Sequence, residues 1–423
     1  MRYTAMKTGI LLSLLMAAQT SFAAAMDRSG QSIAPFLQSG NYAEVAYSYI
    51  DPTVSGTYKD GTAISDMGSS YDFFTGAIKL QANDQFSFGL IWDHPFGGAA
   101  EYTGNNPLVE QGSAGFKANT KVDVKSQNLS ILVGYKPVAN VSLYAGPVYQ
   151  RVEGDVQFAG PGFAYLSGYQ NKIESSDGYG WLAGFAYEIP EIALKTSLTY
   201  RSEIDHQAET YEAFQVKNAL ARATNPVDQY VLSQLVPLVG NPIESEFTIT
   251  TPQSVNFDFQ TGIAADTVAF ANVRWVNWKA FTLRPQGFNL ASTAIGKIRT
   301  GGAFTQGFDL TDYAKDQWSG NIGVGHKFND QFAGNISVGY DSGAGNPIST
   351  LGPTDGYWNL GLGVRFNPTQ QLDLSLGAKY LWLGDAKVQR GDYAIPGNAE
   401  NAYVGEFTDN HAWAWGAKIG YHF

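Results

Sequence analysis

The chain has 423 residues, a net charge of −11 and no cysteine, and only 15% of its residues are charged. The acidic balance argues against nucleic-acid binding, which needs a basic surface, and the missing cysteine excludes disulfides and thiolate metal ligands. The chain is also rich in aromatic residues and glycine, with 25 Phe, 24 Tyr, 9 Trp and 47 Gly. A barrel embedded in lipid combines these features, because aromatics line its interfaces, its lipid face excludes charge and glycine permits bends.

The N-terminus has the pattern of a secretory signal peptide. Arg2 and Lys7 precede a short apolar run, and mostly small residues follow up to position 25. This order predicts a signal peptide over residues 1–23, with cleavage between positions 23 and 25. No later stretch approaches eighteen consecutive apolar residues, so we expect no transmembrane helix in the mature chain.

The rest of the chain alternates short polar turns with long loops, and the segments between them have the period of β-strands. We therefore predict an all-β fold, a transmembrane antiparallel β-barrel of fourteen strands. The predicted strands are 42–49, 71–81, 85–93, 122–135, 141–158, 179–187, 192–202, 254–263, 267–278, 317–328, 331–341, 356–366, 372–383 and 410–423. Outer-membrane barrels have short periplasmic turns and long extracellular loops, so we expect both termini on the periplasmic side.

The last fourteen residues show the alternation most clearly. One face of residues 410–423 carries Trp413, Trp415, Ile419 and Tyr421, and the opposite face is small or charged. The order from aromatic to apolar to aromatic is typical of a strand that faces lipid. A soluble sandwich with one buried face is the alternative.

Two stretches carry a family resemblance: AYSYIDPTVSGTY at Ala46–Tyr58, and TPQSVNFDFQTGIAADTVAFANVRWVNWKAF at Thr251–Phe281. Both resemble the FadL/TodX (OMPP1) family of outer-membrane transport proteins for long-chain fatty acids and other hydrophobic compounds. The resemblance implies a fourteen-stranded barrel at residues 42–423, an N-terminal hatch in the lumen and an exit for substrate beside the third strand. It also implies a monomer.

The hatch is where this sequence departs from the family. Residues 24–41 form a short hatch without the family's Asn-Pro-Ala motif. A barrel of fourteen strands is too wide for side chains alone to fill. Inward-folded loops, a leakier lumen and a different gating mechanism all remain open at this stage.

The third predicted strand ends in an irregular sequence. After a clean alternation, the pattern breaks at Asp93, His94, Pro95, Phe96, Gly97 and Gly98. Proline gives no N–H to a ladder, and paired glycines favour a bend. We predict a lateral opening at this place, which agrees with the resemblance. The alternative is that Pro95 merely begins a loop.

Two extracellular loops carry apolar residues that are suited to capture hydrophobic molecules. The longest loop is predicted at Ile204–Thr251, with helical segments at Ala213–Ala223 and before Pro237. The resemblance implies that this loop forms a first binding groove together with the loop at Ala159–Gly178. The candidate residues are Phe163, Tyr165, Leu166, Tyr169, Val227, Tyr230, Val231 and Leu235. Packing of the loops against themselves explains each of these residues equally well.

A fatty acid carries a carboxylate that needs a cation or donors inside an apolar lumen. Arg151 and Lys315 align with basic residues of the family and are candidates by resemblance. The other candidates are Arg274, Arg365, Lys379 and Lys418, of which the last three alternate with apolar neighbours and should face inward. For each of these we expect pairing with a nearby Asp or Glu.

We interpret the sequence as a passive channel that takes up hydrophobic molecules across the bacterial outer membrane. Long-chain fatty acids rank first as cargo, and aliphatic or aromatic hydrocarbons rank second. The expected partners are this ligand, outer-membrane lipid and lipopolysaccharide, without cofactor, metal or nucleic acid. The alternative is a general diffusion porin for small polar solutes, and an enzyme or adhesin on a barrel ranks third. The G-x-S-x-G, H-E-x-x-H and P-loop motifs are absent.

Overall fold

A computed structural model describes residues 26–112 and 117–423, so the predicted signal peptide lies outside the described part. Fourteen strands form one closed antiparallel sheet, and three of them are interrupted. The strands are β1 Tyr42–Thr53, β2 Tyr71–Gln81, β3 Phe86–Asp93 with Gly97–Glu101, β4 Lys121–Val138, β5 Val141–Gln157, β6 Gln170–Ile189, β7 Leu194–Arg201 with Ile204–Ala213, β8 Ile243–Thr251 with Ser254–Ala264, β9 Thr267–Val276, β10 Gln317–Lys327, β11 Phe332–Asp341, β12 Tyr357–Phe366, β13 Leu372–Leu383 and β14 His411–His422. The predicted class and strand count are confirmed.

The sheet closes between its first and last strands. β1 and β14 pair along their whole length, from Tyr42 opposite His422 to Thr53 opposite His411. Closure leaves no free sheet edge, so each strand has a neighbour on both sides. No helix in the described residues is long and apolar enough to cross a membrane.

The outer surface of the barrel is apolar. In β4, the outward side chains of Leu129, Ile131 and Val133 are exposed, whereas the inward Asn128 and Ser130 are buried. The other strands repeat this inversion of the usual soluble pattern. Hydrocarbon, which has no donors or acceptors, is the solvent that such a closed sheet fits.

Several strands extend beyond the predicted spans. The prediction of a long loop at Ile204–Thr251 is wrong in part, because its two ends continue β7 and β8 as a paired hairpin. In this hairpin, charged residues such as Asp205 and Glu209 face outward while His206 and Ala208 face inward. The part of a strand that extends beyond the membrane exposes polar residues to water, so its sequence resembles that of a loop.

The long loops fold together into a compact layer over one end of the barrel, which we call the loop cap. Its helices are α1 Val216–Arg222, α2 Pro226–Val239, α3 Gln286–Arg299 and α4 Ala399–Ala402, and it has short 3₁₀ turns at Pro161–Leu166, Trp278–Ala280 and Gly391–Ala394. A further 3₁₀ turn, Pro190–Ile192, connects β6 to β7 at the other end of the barrel. Its short strands are Gly56–Tyr58, Ala63–Ile64, Val109–Gln111, Lys117–Asn119, Thr282–Leu283, Thr311–Asp312, Ile348–Ser349, Ala386–Gln389 and Tyr403–Phe407. Leu235, Phe288 and Phe407 are fully buried in the core of the cap.

The helices α1 and α2 correspond to the two helical segments predicted in the long loop. Helix α2 continues through Pro237 and ends at Val239, although a stop before the proline was predicted. Asn225 caps the start of α2 by accepting a hydrogen bond from the Val227 N–H at 2.8 Å. Helix α3 was not predicted.

Side chains replace the backbone ladder along part of the seam between β6 and β7. Ladder pairs join residues 182–189 to 194–201 and residues 170–173 to 210–213, but not the residues between them. There, the Ser176 hydroxyl donates to the Gln207 carbonyl at 2.8 Å, and His206 Nδ1 donates to the Ser176 carbonyl at 3.2 Å. Gly178 leaves room for the imidazole of His206.

We predict that a charge at mid-depth on the outer face destabilises the barrel. Ile131, at 49% exposure, lies in the middle of the apolar face, and Val138, at 58% exposure, lies at the short-turn end of the same strand. Ile131→Lys should lower the free energy of unfolding in lipid vesicles by about 2–4 kcal/mol, and Val138→Lys by about 0–1 kcal/mol. Equal effects of the two substitutions in a denaturant titration would show that lipid does not solvate this face.

Candidate functional site

The wall of the barrel is interrupted between β2 and β3. Ladder pairs join Gly76–Gln81 of β2 to Ser87–Trp92 of β3, and the strand then kinks at His94, Pro95 and Phe96. Past the kink, β3 pairs with β4 again at Gly97–Glu101. Between the two paired stretches, β3 has one residue more than β4. Residues 71–75 of β2 therefore have no ladder partner in β3.

The N-terminal segment, residues 26–41, takes over the hydrogen bonds of the kink. The N–H of Arg28 donates to the Pro95 carbonyl at 2.7 Å, and the N–H of Gly97 donates to the Met26 carbonyl at 2.7 Å. Asp27 and Phe96 form an antiparallel bridge. The segment thus satisfies, from inside the barrel, backbone groups that β2 leaves unpaired.

A buried ion pair fixes this segment to the opposite wall. The guanidinium of Arg274 on β9 contacts Asp27 at 2.6 Å, and both side chains are almost fully buried. Arg274 also donates to the Gln31 side chain at 2.9 Å, and Asn256 donates to the Gly30 carbonyl at 2.8 Å. A buried charge is tolerated only when it is paired and hydrogen-bonded, as it is here.

Two lysines hold the other end of the N-terminal segment. The ammonium groups of Lys79 and Lys195 donate to the carbonyls of Gln38 and Leu37. The ring of Phe36 lies where a Cβ on Gly89 would be, so glycine is required there for the segment to pack against the wall. The segment is therefore anchored at both ends.

A large apolar cavity adjoins the interrupted wall. The space between the kink, the upper parts of β4–β6 and the loop cap measures about 1410 Å³, which includes the open solvent at its mouth. Tyr71 lies on the β2 side of the gap and Gly98 on the β3 side, and both line the cavity. A Cβ built on Gly98 meets no atom within 4 Å, so this position faces open space.

Aromatic rings connect the kink to the loop cap. The indole of Trp278 is fully buried, and its centroid lies 5.4 Å from the Phe96 ring in an edge-on arrangement. Tyr313 and Phe281 of the cap contact the same indole at 5.1 and 5.5 Å. Edge-on aromatic contacts of this kind favour a fixed geometry, so the kink and the cap pack as one unit.

The predicted capture residues fall into two groups. Val227 and Tyr230 of α2 are exposed, whereas the other six, Phe163, Tyr165, Leu166, Tyr169, Val231 and Leu235, are buried or half-buried in the cap. The phenol of Tyr165 donates to Asp228 of α2 at 2.8 Å, so the two predicted loops do meet. Most of the candidates pack the loops together, which was the alternative interpretation.

A buried carboxylate ties the cap to the barrel. Glu212 at the end of β7 accepts hydrogen bonds from the Phe288 N–H at 2.8 Å and from the Tyr169 hydroxyl at 2.9 Å. The first of these lies at the N-terminus of α3, where negative charge is favoured. Burial raises the pKa of the Glu212 carboxyl, although these hydrogen bonds oppose the rise.

The two basic residues suggested by resemblance do not meet in the structure. Arg151 lies on the outward face of β5, where it pairs with Asp177 of β6 at 2.8 Å. The expectation that Arg151 binds a carboxylate inside the lumen is therefore wrong, because alternation along β5 turns its side chain away from the interior. Lys315 is exposed in the loop before β10.

The inward cations behave differently from one another. Arg365 pairs with Asp373 at 3.4 Å and Lys418 with Glu44 at 3.4 Å, as expected, and Arg274 pairs with Asp27. Among the described residues, Lys379 has neither a salt bridge nor a hydrogen bond, although it is 95% buried. The expectation of pairing is wrong for Lys379.

A closed barrel with a lipid-facing exterior, a folded segment in its lumen and an apolar cavity defines an integral membrane channel. Residues 37–423 match the family of outer membrane transport proteins named OMPP1/FadL/TodX, and the chain belongs to this family. It is therefore an integral protein of the bacterial outer membrane and a member of a transport family.

Solved structures share the fold. A FadL homologue of Pseudomonas aeruginosa has a TM-score of 0.68 at 14% identity, over 98% of both chains. The toluene transporter TbuX of Ralstonia pickettii has a TM-score of 0.59 at 11% identity, over 98% of this chain and 99% of that one. The toluene transporter TodX of Pseudomonas putida has a TM-score of 0.59 at 11% identity, over 96% of this chain and 100% of that one. Comparison with the sequences of curated proteins gives no match.

Sequence reasoning missed the residues that anchor the N-terminal segment. Asp27 and Arg274 are 247 positions apart, so no local pattern links them. Trp278 was included in a predicted strand, although it lies in a turn of the cap. Arg274 was named only as a candidate cation, and the one available signal was that a charge in a barrel strand requires a partner.

We predict that removing Asp27 releases the N-terminal segment. Asp27→Ala leaves the guanidinium of Arg274 buried without a counter-charge, which should weaken docking of residues 26–41 by about 3–5 kcal/mol. The measurement is hydrogen exchange of the backbone amides in this segment, which should become faster. Asp177→Ala removes the partner of an exposed arginine and is the matched control, with an expected cost of about 0–1 kcal/mol. Unchanged exchange after Asp27→Ala would contradict the anchoring role.

Proposed function

We propose that the protein carries hydrophobic molecules passively across the outer membrane, with long-chain fatty acids as its first cargo and hydrocarbons as its second. The observation that carries the proposal is the apolar cavity between the loop cap and the interrupted wall. An apolar ligand gains free energy from such a site at about 25 cal/mol per Å² of buried surface. Membership of a transport family and the fold of FadL and toluene transporters support the same conclusion.

We propose that the loop cap faces outward and makes the first contact with the ligand. Val227 and Tyr230 are large apolar residues exposed on α2, whose buried face packs into the cap. Exposed apolar residues on a water-facing helix attract hydrophobic molecules. Both chain termini then lie on the periplasmic side, and the short turns with them.

We propose that the ligand leaves sideways between β2 and β3. The cavity is lined from both sides of this gap, and residues 71–75 of β2 have no ladder partner in β3. The N-terminal segment acts as a short hatch, because it fills the lumen beside the kink and hydrogen-bonds to it. A lateral route delivers an apolar molecule into lipid without passage through water. The protein acts as a monomer in this scheme, because one barrel contains every part of the route.

A general diffusion porin is the alternative, and the packing of the lumen counts against it. The N-terminal segment is anchored at both ends, and the cap has its own buried core over the barrel mouth. A porin needs a continuous aqueous path. A large steady conductance in planar bilayers without oleate binding would overturn our proposal, whereas oleate uptake with little conductance would support it.

The lateral route predicts a block at Gly98. Gly98→Leu adds a side chain that projects into the cavity beside the gap, while Ala145→Leu adds the same side chain to the exposed outer face of β5, away from the cavity lining. We expect Gly98→Leu to lower the rate of oleate uptake by about ten-fold, which corresponds to about 1.4 kcal/mol, and Ala145→Leu to change it little. The measurement is uptake of radiolabelled oleate by cells that depend on this protein. Equal rates for the two variants would count against exit at this place.

A further inference from the structure

The inner wall of the barrel carries a polar patch that takes no part in the ion pairs described above. We define the patch as Asn321 of β10, Ser337 of β11, Asn359 of β12 and Lys379 of β13. These strands are neighbours, and the register places Ser337, Gly361 and Lys379 in one row across the sheet. Asn321, Gly339 and Asn359 form the next row.

Two glycines allow the polar side chains to converge. A Cβ on Gly361 would lie 2.7 Å from the Ser337 hydroxyl and 3.5 Å from Cε of Lys379, so both side chains lean over this glycine. In the next row, the amide groups of Asn321 and Asn359 meet over Gly339 in the same way. The glycines thus leave a shallow recess whose rim is polar.

The recess contains an uncompensated positive charge. Lys379 is 5% exposed, and among residues 26–112 and 117–423 its ammonium forms no salt bridge and no hydrogen bond. The inward carboxylate on its own strand, Asp373, is six residues away, or about 20 Å along the strand. Such a cation is unfavourable in a low-dielectric interior unless an anion or ordered water joins it.

The geometry points to a carboxylate-binding site at this patch. Lys379 supplies the charge, and the Ser337 hydroxyl and the Asn359 amide supply neutral donors on the same side of the recess. In the row of Lys379, Ala414 lies between the patch and Ile50. In the row of Asn359, Leu381 and Ala412 lie between the patch and Pro52, which lines the apolar cavity. A carboxylate at the patch is therefore either the head group of an amphiphile whose chain lies in the cavity or a small soluble anion. Only the first of these rests on the proposed transport of hydrophobic cargo.

The test compares oleate, methyl oleate and acetate as ligands of the full-length protein in detergent micelles, with ¹³C-labelled carbonyl groups read by NMR. Lys379→Met keeps the apolar stem of the side chain and removes its charge, and Lys379→Arg keeps a positive charge at this position. Lys387→Met removes a charge from an exposed residue of the loop cap and is the matched control. Heat-modifiable gel mobility verifies that each variant is folded.

We expect Lys379→Met to weaken oleate binding by about ten-fold or more and to leave methyl oleate binding within about two-fold. Lys379→Arg should recover most of the affinity for oleate, and Lys387→Met should change none of the affinities. Acetate binding that also depends on Lys379 would support the site and identify a small soluble anion as an occupant. Acetate binding through Lys379 with no binding of methyl oleate would support the patch but overturn the hydrophobic cargo. The proposal is overturned if neither oleate binding nor acetate binding depends on Lys379. That result would mean that water, and not an anion, occupies the recess.

Discussion

Hydrocarbon contains no hydrogen-bonding group, so each backbone N–H and C=O in the barrel wall must find its partner within the protein. This constraint explains why the kink in β3 and the N-terminal segment form a single structural unit. Where β3 leaves β2, the carbonyl of Pro95 and the N–H of Gly97 pair with residues 26–28 instead. The interrupted wall is stable because the segment inside the barrel completes it. The ion pair between Asp27 and Arg274 then holds the segment at the place where it is needed.

The lumen has two chemically different regions. The cavity under the cap is lined mostly by apolar residues. Below it, the inner wall carries paired charges and amides, including Arg365 of β12 with Asp373 of β13 and Lys418 of β14 with Glu44 of β1. Such an arrangement suits a molecule with an apolar body and a polar end, because each end meets a matching surface.

The sequence predicted the barrel well because a lipid-facing strand has a strong local signal. Outward residues are apolar, inward residues are small or polar, and the period of two is repeated in each membrane strand. The irregular stretch at Pro95 was visible for the same reason, since it breaks that period. Arg365 and Lys418 were correctly expected to face inward and to have acidic partners.

The remaining features depend on contacts between distant residues or on a change of solvent. The hairpin of β7 and β8 stands in water, so its charged outer residues were mistaken for those of a loop. The outward direction of Arg151 follows from its exact place in β5, which resemblance alone did not supply. Lys379 departs from the expected pairing, and its place in a glycine-lined recess became visible only when four strands were aligned in register.

The seam between β6 and β7 has a consequence for how such walls diverge. A backbone ladder holds two strands together whatever their side chains are, but here hydroxyl and imidazole groups of Ser176 and His206 take its place. The integrity of this seam therefore depends on individual side chains. Substitution of Ser176 and His206 would remove these hydrogen bonds while the number and register of the strands stay the same. The cohesion of this part of the wall can therefore change one side chain at a time.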